Sequence, residues 1–78
     1  MKELVEYLAK SLVDNPDAVT VNEVDGEQSL ILELKVAPDD MGKVIGKNGK
    51  IINSIRTIVQ AASSLGDNKR VKINVDSY

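Results

Sequence analysis

The chain has 78 residues, enough for one small domain that buries about 60–65% of the surface its unfolded form exposes. It contains no cysteine and no histidine, which excludes disulfide bonds, cysteine-based zinc sites and histidine general bases. The formal net charge is only -2, and no apolar run approaches the roughly 20 residues that span a bilayer. These features predict a soluble, cytoplasmic protein with an aliphatic core.

The small net charge hides an uneven distribution of charged residues. Residues 1–40 carry ten acids and three bases, whereas residues 41–78 carry seven bases and two acids. Residues 41–66 contain no acid at all. We therefore expect a polyanionic partner to contact the second half of the chain, with the acidic half facing away.

The first half of the chain predicts one helix and a β-hairpin. Apolar residues recur at helical spacing over residues 2–13, and Asn15-Pro16-Asp17 ends this helix. Residues 19–24 are a modest strand candidate, and Asp25-Gly26 is a tight-turn signal. Strict alternation over residues 30–36 then predicts a strand with one buried face.

The second half predicts two helices and a last strand. A short helix begins at residues 37–40, where proline and two acids suit a helix start, and ends at Gly46. Residues 50–63 form a longer helix, followed by a polar turn over 63–68 and an alternating strand over 71–75. The apolar stripe of the longer helix, expected to be mostly core, consists of Ile51, Ile52, Ile55, Ile58, Val59 and Ala62.

The element order is helix, strand, strand, helix, helix, strand. A hairpin followed by a strand that returns through two helices predicts an α+β domain. We expect a three-stranded mixed sheet whose apolar face is covered by the three helices.

The most informative segment is the junction between the last two helices. Gly46 and Gly49 lie three residues apart, with only Lys47 and Asn48 between them. Gly46 can take a positive φ that ends one helix, and Gly49 leaves the next helix start unobstructed. A backbone without β-carbons lets a sugar-phosphate chain approach the free amides and positive dipole of that helix, while Lys47 and Lys50 add positive charge.

Single-stranded bases are then expected in an aliphatic groove beside Val44, Ile45 and Ile52, walled by the 30–36 strand. Lys69, Arg70 and Lys72 are more typical of a solvated strand edge. The whole candidate set for binding a single-stranded nucleic acid is Lys43, Val44, Ile45, Gly46, Lys47, Asn48, Gly49, Lys50, Ile52 and Arg56. No catalytic residue, metal or cofactor is expected.

The segment from Ile45 to Ile55 matches the pattern Ile-Gly-x-x-Gly-x-x-Ile-x-x-Ile of the KH family without departure. The resemblance covers nearly the whole chain and implies one KH domain over residues 1–78, with the core motif at 30–76. The family's glycine loop clamps about four nucleotides of a single strand. The extra helix and strand ahead of the core resemble the type II arrangement of bacterial KH proteins.

Chain length, the run from Asn15 to Val19 and the Ile55-Arg56-Thr57 run are similar to the small stand-alone KhpA family. That resemblance implies an RNA-binding homodimer. It also implies pairing with a larger KH protein, KhpB (also called Jag), and a role in RNA chaperoning and in control of cell elongation or division.

The sequence also raises two alternatives to RNA binding. Residues 42–48 resemble a Walker A loop only superficially, since the glycines are one residue too close and Asn48 replaces the magnesium-binding hydroxyl. An enzyme is therefore not expected. A KH framework that serves mainly for protein–protein dimerisation, with RNA binding secondary, is compatible with the sequence.

Overall fold

The structure is a computed structural model that describes residues 1–66 and 68–78. Three single turns of 3-10 helix, Pro16–Ala18, Pro38–Asp40 and Lys47–Gly49, connect its main elements. Among the described residues, no helix combines the length and apolar character needed to cross a membrane. The main elements in chain order are α1 (Lys2–Leu12), β1 (Thr20–Asp25), β2 (Ser29–Val36), α2 (Met41–Ile45), α3 (Lys50–Leu65) and β3 (Arg70–Ser77).

The three strands form one mixed sheet in the order β1-β2-β3. β1 pairs with β2 antiparallel, because a short turn closed by the Gly26 amide on the Ser29 carbonyl (2.8 Å) joins them. β2 pairs with β3 parallel, since the chain must cross over through α2 and α3 between them. The predicted α+β class and mixed sheet are confirmed.

The core lies between the sheet and the helices. Alternation along β2 directs Leu32 and Leu34 towards the helices, and both side chains are completely buried. α1 contributes Val5, and α3 contributes Ile55 and Val59 from its apolar face. All of these side chains are aliphatic, as the composition predicted, and together they fix the position of α3 over the sheet.

The predicted end of α3 is wrong. The helix continues to Leu65, so Ser64 and Leu65 are helical and do not belong to the turn. Ser63, predicted where the helix meets the turn, is buried, and its hydroxyl donates to the Lys69 carbonyl at 2.8 Å, which satisfies this polar side chain. Asp67, which also belongs to that predicted turn, lies outside the described residues.

One member of the predicted apolar stripe is not a core residue. Ile58 is 49% exposed, whereas Ile52, Ile55 and Val59 are buried. Ile58 directly precedes the fully buried Val59, so its side chain points about 100° away from Val59 around the helix, at the margin of the surface that meets the sheet. The fold therefore leaves an apolar side chain in the middle of α3 in contact with solvent.

Replacing Leu34 with alanine should lower the free energy of unfolding by about 2–5 kcal/mol, because a fully buried side chain leaves a cavity. Urea denaturation followed by circular dichroism measures this loss. Leu65→Ala is the matched control: Leu65 is 91% exposed, so the same change there should cost within about 0.5 kcal/mol. Equal losses for the two variants would contradict the assignment of the core.

Candidate nucleic-acid interface

The corner between α2 and α3 is built from residues with left-handed or glycine-only backbone. Gly46 ends α2 with φ 76° and ψ 174°, and its amide donates to the Gly42 carbonyl at 2.9 Å. This combination of angles is open essentially only to glycine. Asn48 and Gly49 follow with φ of 58° and 75°. The predicted positive φ at Gly46 is confirmed.

The two glycines are needed for different reasons. A β-carbon at Gly46 would lie 2.6 Å from Cγ1 of Ile51, so this glycine allows α3 to pack against the end of α2. Gly46 therefore has a packing role in addition to the bare backbone predicted for both glycines, and that prediction stays untested. At Gly49 the nearest side-chain atom, Nδ2 of Asn53, would be 3.8 Å away, so only its backbone angle favours glycine.

Two of the four backbone amides at the corner form hydrogen bonds within it, and the other two are left without a backbone partner in the described chain. The amide of Gly49 donates to the Gly46 carbonyl at 3.2 Å, and that of Lys50 donates to the Lys47 carbonyl. The amides of Lys47 and Asn48 precede this first turn and have no carbonyl partner within the described chain. These amides lie beside the N-terminus of a 16-residue helix, where the dipole favours an anion.

The polar side chains of the corner are exposed and form no hydrogen bond or ion pair with the rest of the described chain. Lys47, Asn48 and Lys50 all have high exposure, and no side-chain hydrogen bond or ion pair involves them in the part of the chain that the structure describes. Two ammonium groups and one amide therefore stand next to the outward amides. The geometry suits a phosphate that accepts from backbone and lysine together.

Lys43, which was expected to contact RNA, forms ion pairs within the protein. Its ammonium group pairs with the Asp14 carboxylate and lies 3.6 Å from Oδ1 of Asp40. The hydrogen bond to Asp14 raises the pKa of Lys43, so its charge is both retained and neutralised locally. The expected separation of the acidic half from the basic half fails here, because two acids fold back onto α2.

The buried carboxylate of Asp40 holds Asp14 close to α2. Its side chain is only 2% exposed, and its two carboxylate oxygens accept the amides of Asp14 (3.2 Å) and Asn15 (3.1 Å). The carboxylate thus fastens the end of α1 to the start of α2. Lys43 balances its charge, which gives that lysine a structural role.

The predicted aliphatic groove is largely core. Val44 has no exposed surface and Ile52 is buried, so neither side chain lines a surface groove, while Ile45 is half-buried. β2 cannot be the wall, because its helix-facing side chains are buried in the core, whereas β3 is the edge strand. A groove of about 410 Å³ runs between α3 and β3 and is lined by Arg56, Thr57, Gln60, Ala61, Ser64 and Val71.

Arg56 and Gln60 join α3 to the open edge of β3. The Gln60 amide donates to the Lys69 carbonyl at 3.0 Å, and its oxygen accepts the Val71 amide at 2.9 Å. Arg56 donates to the Ile73 carbonyl at 3.0 Å. These side chains form hydrogen bonds with backbone groups that an edge strand would otherwise leave unpaired. Sequence reasoning missed Gln60, although its spacing of four from Arg56 places both on one face of the helix.

A strand, two helices and a parallel strand, with a Gly-x-x-Gly corner between the helices, define a KH domain. The model of the family described as KhpA/KhpB, KH domain, matches residues 2–75. The chain belongs to this family.

Curated relatives agree with this assignment over nearly the whole chain. A Clostridium acetobutylicum protein named RNA-binding protein KhpA is 63% identical over 75 residues, covering 96% of this chain and 99% of its own. A protein of the same name from Borreliella burgdorferi is 45% identical over 73 residues, covering 94% and 88%. These relatives are named for binding and not for a reaction, in agreement with the prediction of a non-enzymatic protein.

Solved structures support the fold. One is the structure of Era in complex with MgGDPNP and nucleotides 1506–1542 of 16S ribosomal RNA. It matches with a TM-score of 0.70 at 20% identity, over 97% of this chain and 29% of that chain. A variant of Aquifex aeolicus Era matches with a TM-score of 0.71 at 18% identity over the same shares. At these identities the similarity concerns the fold alone.

Replacing Gly46 with alanine should destabilise the protein more than replacing Gly49 with alanine. Gly49→Ala adds only the left-handed backbone cost of about 1–2 kcal/mol, whereas Gly46→Ala adds a clash with Ile51 to a backbone conformation reserved for glycine. Thermal unfolding of the two variants measures the difference. Gly49→Asn serves as a control that should be tolerated, and a Gly46→Ala variant as stable as Gly49→Ala would contradict the geometry described.

Proposed function

We propose that this protein binds single-stranded RNA at the corner of residues 46–49 and along the groove between α3 and β3. The observation that carries this proposal is the exposed Lys47-Asn48 turn, with two outward amides, at the start of α3. Backbone donors, a helix dipole and two lysines converge there on the position of a phosphate. The relatives named RNA-binding protein KhpA supply the choice of RNA as the polyanion.

The corner would hold the backbone, and the groove would hold the bases. A strand that leaves the corner along α3 passes Arg56 and then reaches Val71 on β3. Arg56 already spans this groove through its bond to the Ile73 carbonyl, so it is placed to stack on or donate to a base. The candidate contacts are thus Lys47, Asn48, Lys50 and Arg56, with Gly46, Gly49 and Ile45 shaping the surface.

The binding should be weak for one isolated site. Two or three phosphate contacts give a salt slope of roughly -1.5 to -2 for a single strand, consistent with an affinity of roughly micromolar or weaker. Because Lys43 is paired with Asp14 and Asp40, it adds no further contact. Stronger binding would require a second site in the same assembly.

Replacing Lys47 and Asn48 together with aspartate should weaken binding of a short single-stranded RNA by about tenfold or more, because both changes place negative charge on the phosphate position. Fluorescence anisotropy with a labelled oligoribonucleotide measures the loss. The fold should be unaffected, since both side chains are exposed and aspartate tolerates the backbone of Asn48.

Lys2→Asp combined with Asn15→Asp is the matched control for that variant. It makes the same change in net charge at two exposed positions away from the corner. Equal loss of binding in the two double variants would show that bulk charge drives the interaction and would reject the corner as the site.

The proposal includes assembly into a homodimer and pairing with a larger KhpB-type KH protein. A small domain with one weak site gains overall affinity when two sites are joined, by roughly 10²–10⁴-fold without new contacts. Ile58 is the position chosen to probe this step, since it is an apolar side chain in the middle of α3 that is 49% exposed.

Ile58→Glu should shift the protein from dimer to monomer at tens of micromolar, because a carboxylate at the interface would have to lose its water. Sedimentation equilibrium measures the change. Tyr7→Glu, at an exposed position on α1, is the comparison and should leave the dimer intact. A wild-type protein that sediments only as a monomer would contradict the homodimer, whatever the RNA result.

We further propose that the whole chain works as one KH domain in the cytoplasm, as an RNA chaperone or post-transcriptional regulator that affects cell elongation or division. The alternative is a dimerisation module in which RNA binding is secondary. The Lys47→Asp/Asn48→Asp variant separates the two in a strain lacking the gene. Loss of activity with an intact dimer supports the RNA function, whereas full activity supports the dimerisation module.

A further inference from the structure

The outer face of the sheet, opposite to the helices, carries a second cavity of about 310 Å³ that the proposed RNA site does not use. Thr20, Asn22, Glu33, Lys35 and Tyr78 line it. The strand register sets Thr20 opposite Lys35 and Asn22 opposite Glu33, so β1 and β2 form its floor. Tyr78 follows the end of β3 and supplies an aromatic wall.

The ring of Tyr78 is fixed at one end and open to solvent. Its hydroxyl lies 2.6 Å from Oγ1 of Thr20, and its amide donates to the Val36 carbonyl at 3.3 Å. The residue is nevertheless 61% exposed, and the Lys35 ammonium lies over the ring, 5.9 Å from its centroid. A planar base can stack on a ring held in place in this way when the flexible lysine side chain turns aside to the rim of the cavity.

The floor of the cavity presents a specific pair of hydrogen-bonding groups. The Asn22 side-chain amide donates to Oε1 of Glu33 at 3.1 Å, so a donor and a carboxylate acceptor stand side by side. Guanine offers the complement along its Watson–Crick edge, with the O6 acceptor next to the N1–H and N2–H donors. Adenine offers an acceptor at N1, which would face the carboxylate unfavourably. The negative charge of Glu33 thus disfavours nucleotides in general but suits guanine.

We propose that this cavity binds the base of a guanine nucleotide in single-stranded RNA. Tyr78 stacks on the base, Glu33 accepts from N1–H and N2–H, and Asn22 donates to O6. Lys35 lies at the rim, within reach of the phosphate of the same nucleotide. The choice of RNA rests on the proposed function, but the cavity lies on the other face of the sheet, so it can be tested with the corner disabled.

The test uses the fluorescence of Tyr78 itself. The chain has two tyrosines and no tryptophan, so Tyr7→Phe leaves Tyr78 as the sole reporter. Adding Lys47→Asp and Asn48→Asp removes the corner site. This protein is titrated with uridine pentanucleotides that carry a central guanosine, adenosine or inosine. We expect saturable quenching by the guanosine oligonucleotide and about tenfold weaker binding of the inosine form, which keeps N1–H but loses the N2–H donor to Glu33. The adenosine form, which loses both donors, should bind more weakly still.

Glu33→Gln in the same background should reduce the preference for guanosine over adenosine by about tenfold, because a charge-assisted acceptor is lost. Glu27→Gln, which makes the same charge change at an exposed position between β1 and β2, should leave that preference unchanged. Quenching that is equal for guanosine and adenosine, or absent, or insensitive to Glu33→Gln, overturns the inference. Guanosine monophosphate that binds as tightly as the oligonucleotide overturns RNA as the source of the base.

These outcomes are independent of the corner site. Failure of the proposed function is seen when Lys47→Asp/Asn48→Asp leaves the binding of guanine-free RNA unchanged. Failure of this inference is seen in the Tyr78 signal alone.

Discussion

The close approach of Gly46 to the side chain of Ile51 is the contact on which the candidate site depends. Because no β-carbon stands between them, α2 can end against the first turn of α3, and the chain must turn outward through Lys47 and Asn48. The outward amides, the helix dipole and the two lysines then share one location. A side chain at Gly46 would push α2 away from α3, and the amides and lysines of the corner would then no longer lie close together.

α3 connects this corner with the rest of the molecule through its different sides. One side inserts Ile55 and Val59 into the core over β2, which fixes the direction of the helix. Another places Arg56 and Gln60 against the edge of β3 and forms the groove. A third leaves Ile58 in solvent, where a second chain can cover it. Core packing and the groove are therefore properties of one helix, and the proposed base contacts and assembly use the same helix.

Much of this arrangement could be predicted from the sequence, because its signals are local. Alternation in β2, helical spacing in α1 and α3, and the two glycines at fixed separation indicate the elements and the corner without knowledge of the tertiary structure. The positive φ at Gly46 follows from the same local signals. The family pattern around the corner then indicates the KH fold.

The rest depends on contacts between residues that are distant in the chain. Asp14 lies 29 residues before Lys43, so nothing near Lys43 indicates that its charge is neutralised. Val44 reads equally well as groove or core until the helices are placed over the sheet. The wall of the groove depends on which strand lies at the edge, and that is decided by the crossover. The cavity beside Tyr78 likewise exists only once three strands are aligned.

Binding of RNA at the corner is tested most directly by the amide NMR spectrum of the protein during titration with a short single-stranded RNA that lacks guanine. The amide signals of Lys47 and Asn48 should shift most, followed by those along the groove at Arg56 and Val71. Signals of the outer sheet face, including Asn22 and Glu33, should stay in place. Shifts confined to other surfaces, or an unmoved corner at saturating RNA, would contradict the central claim.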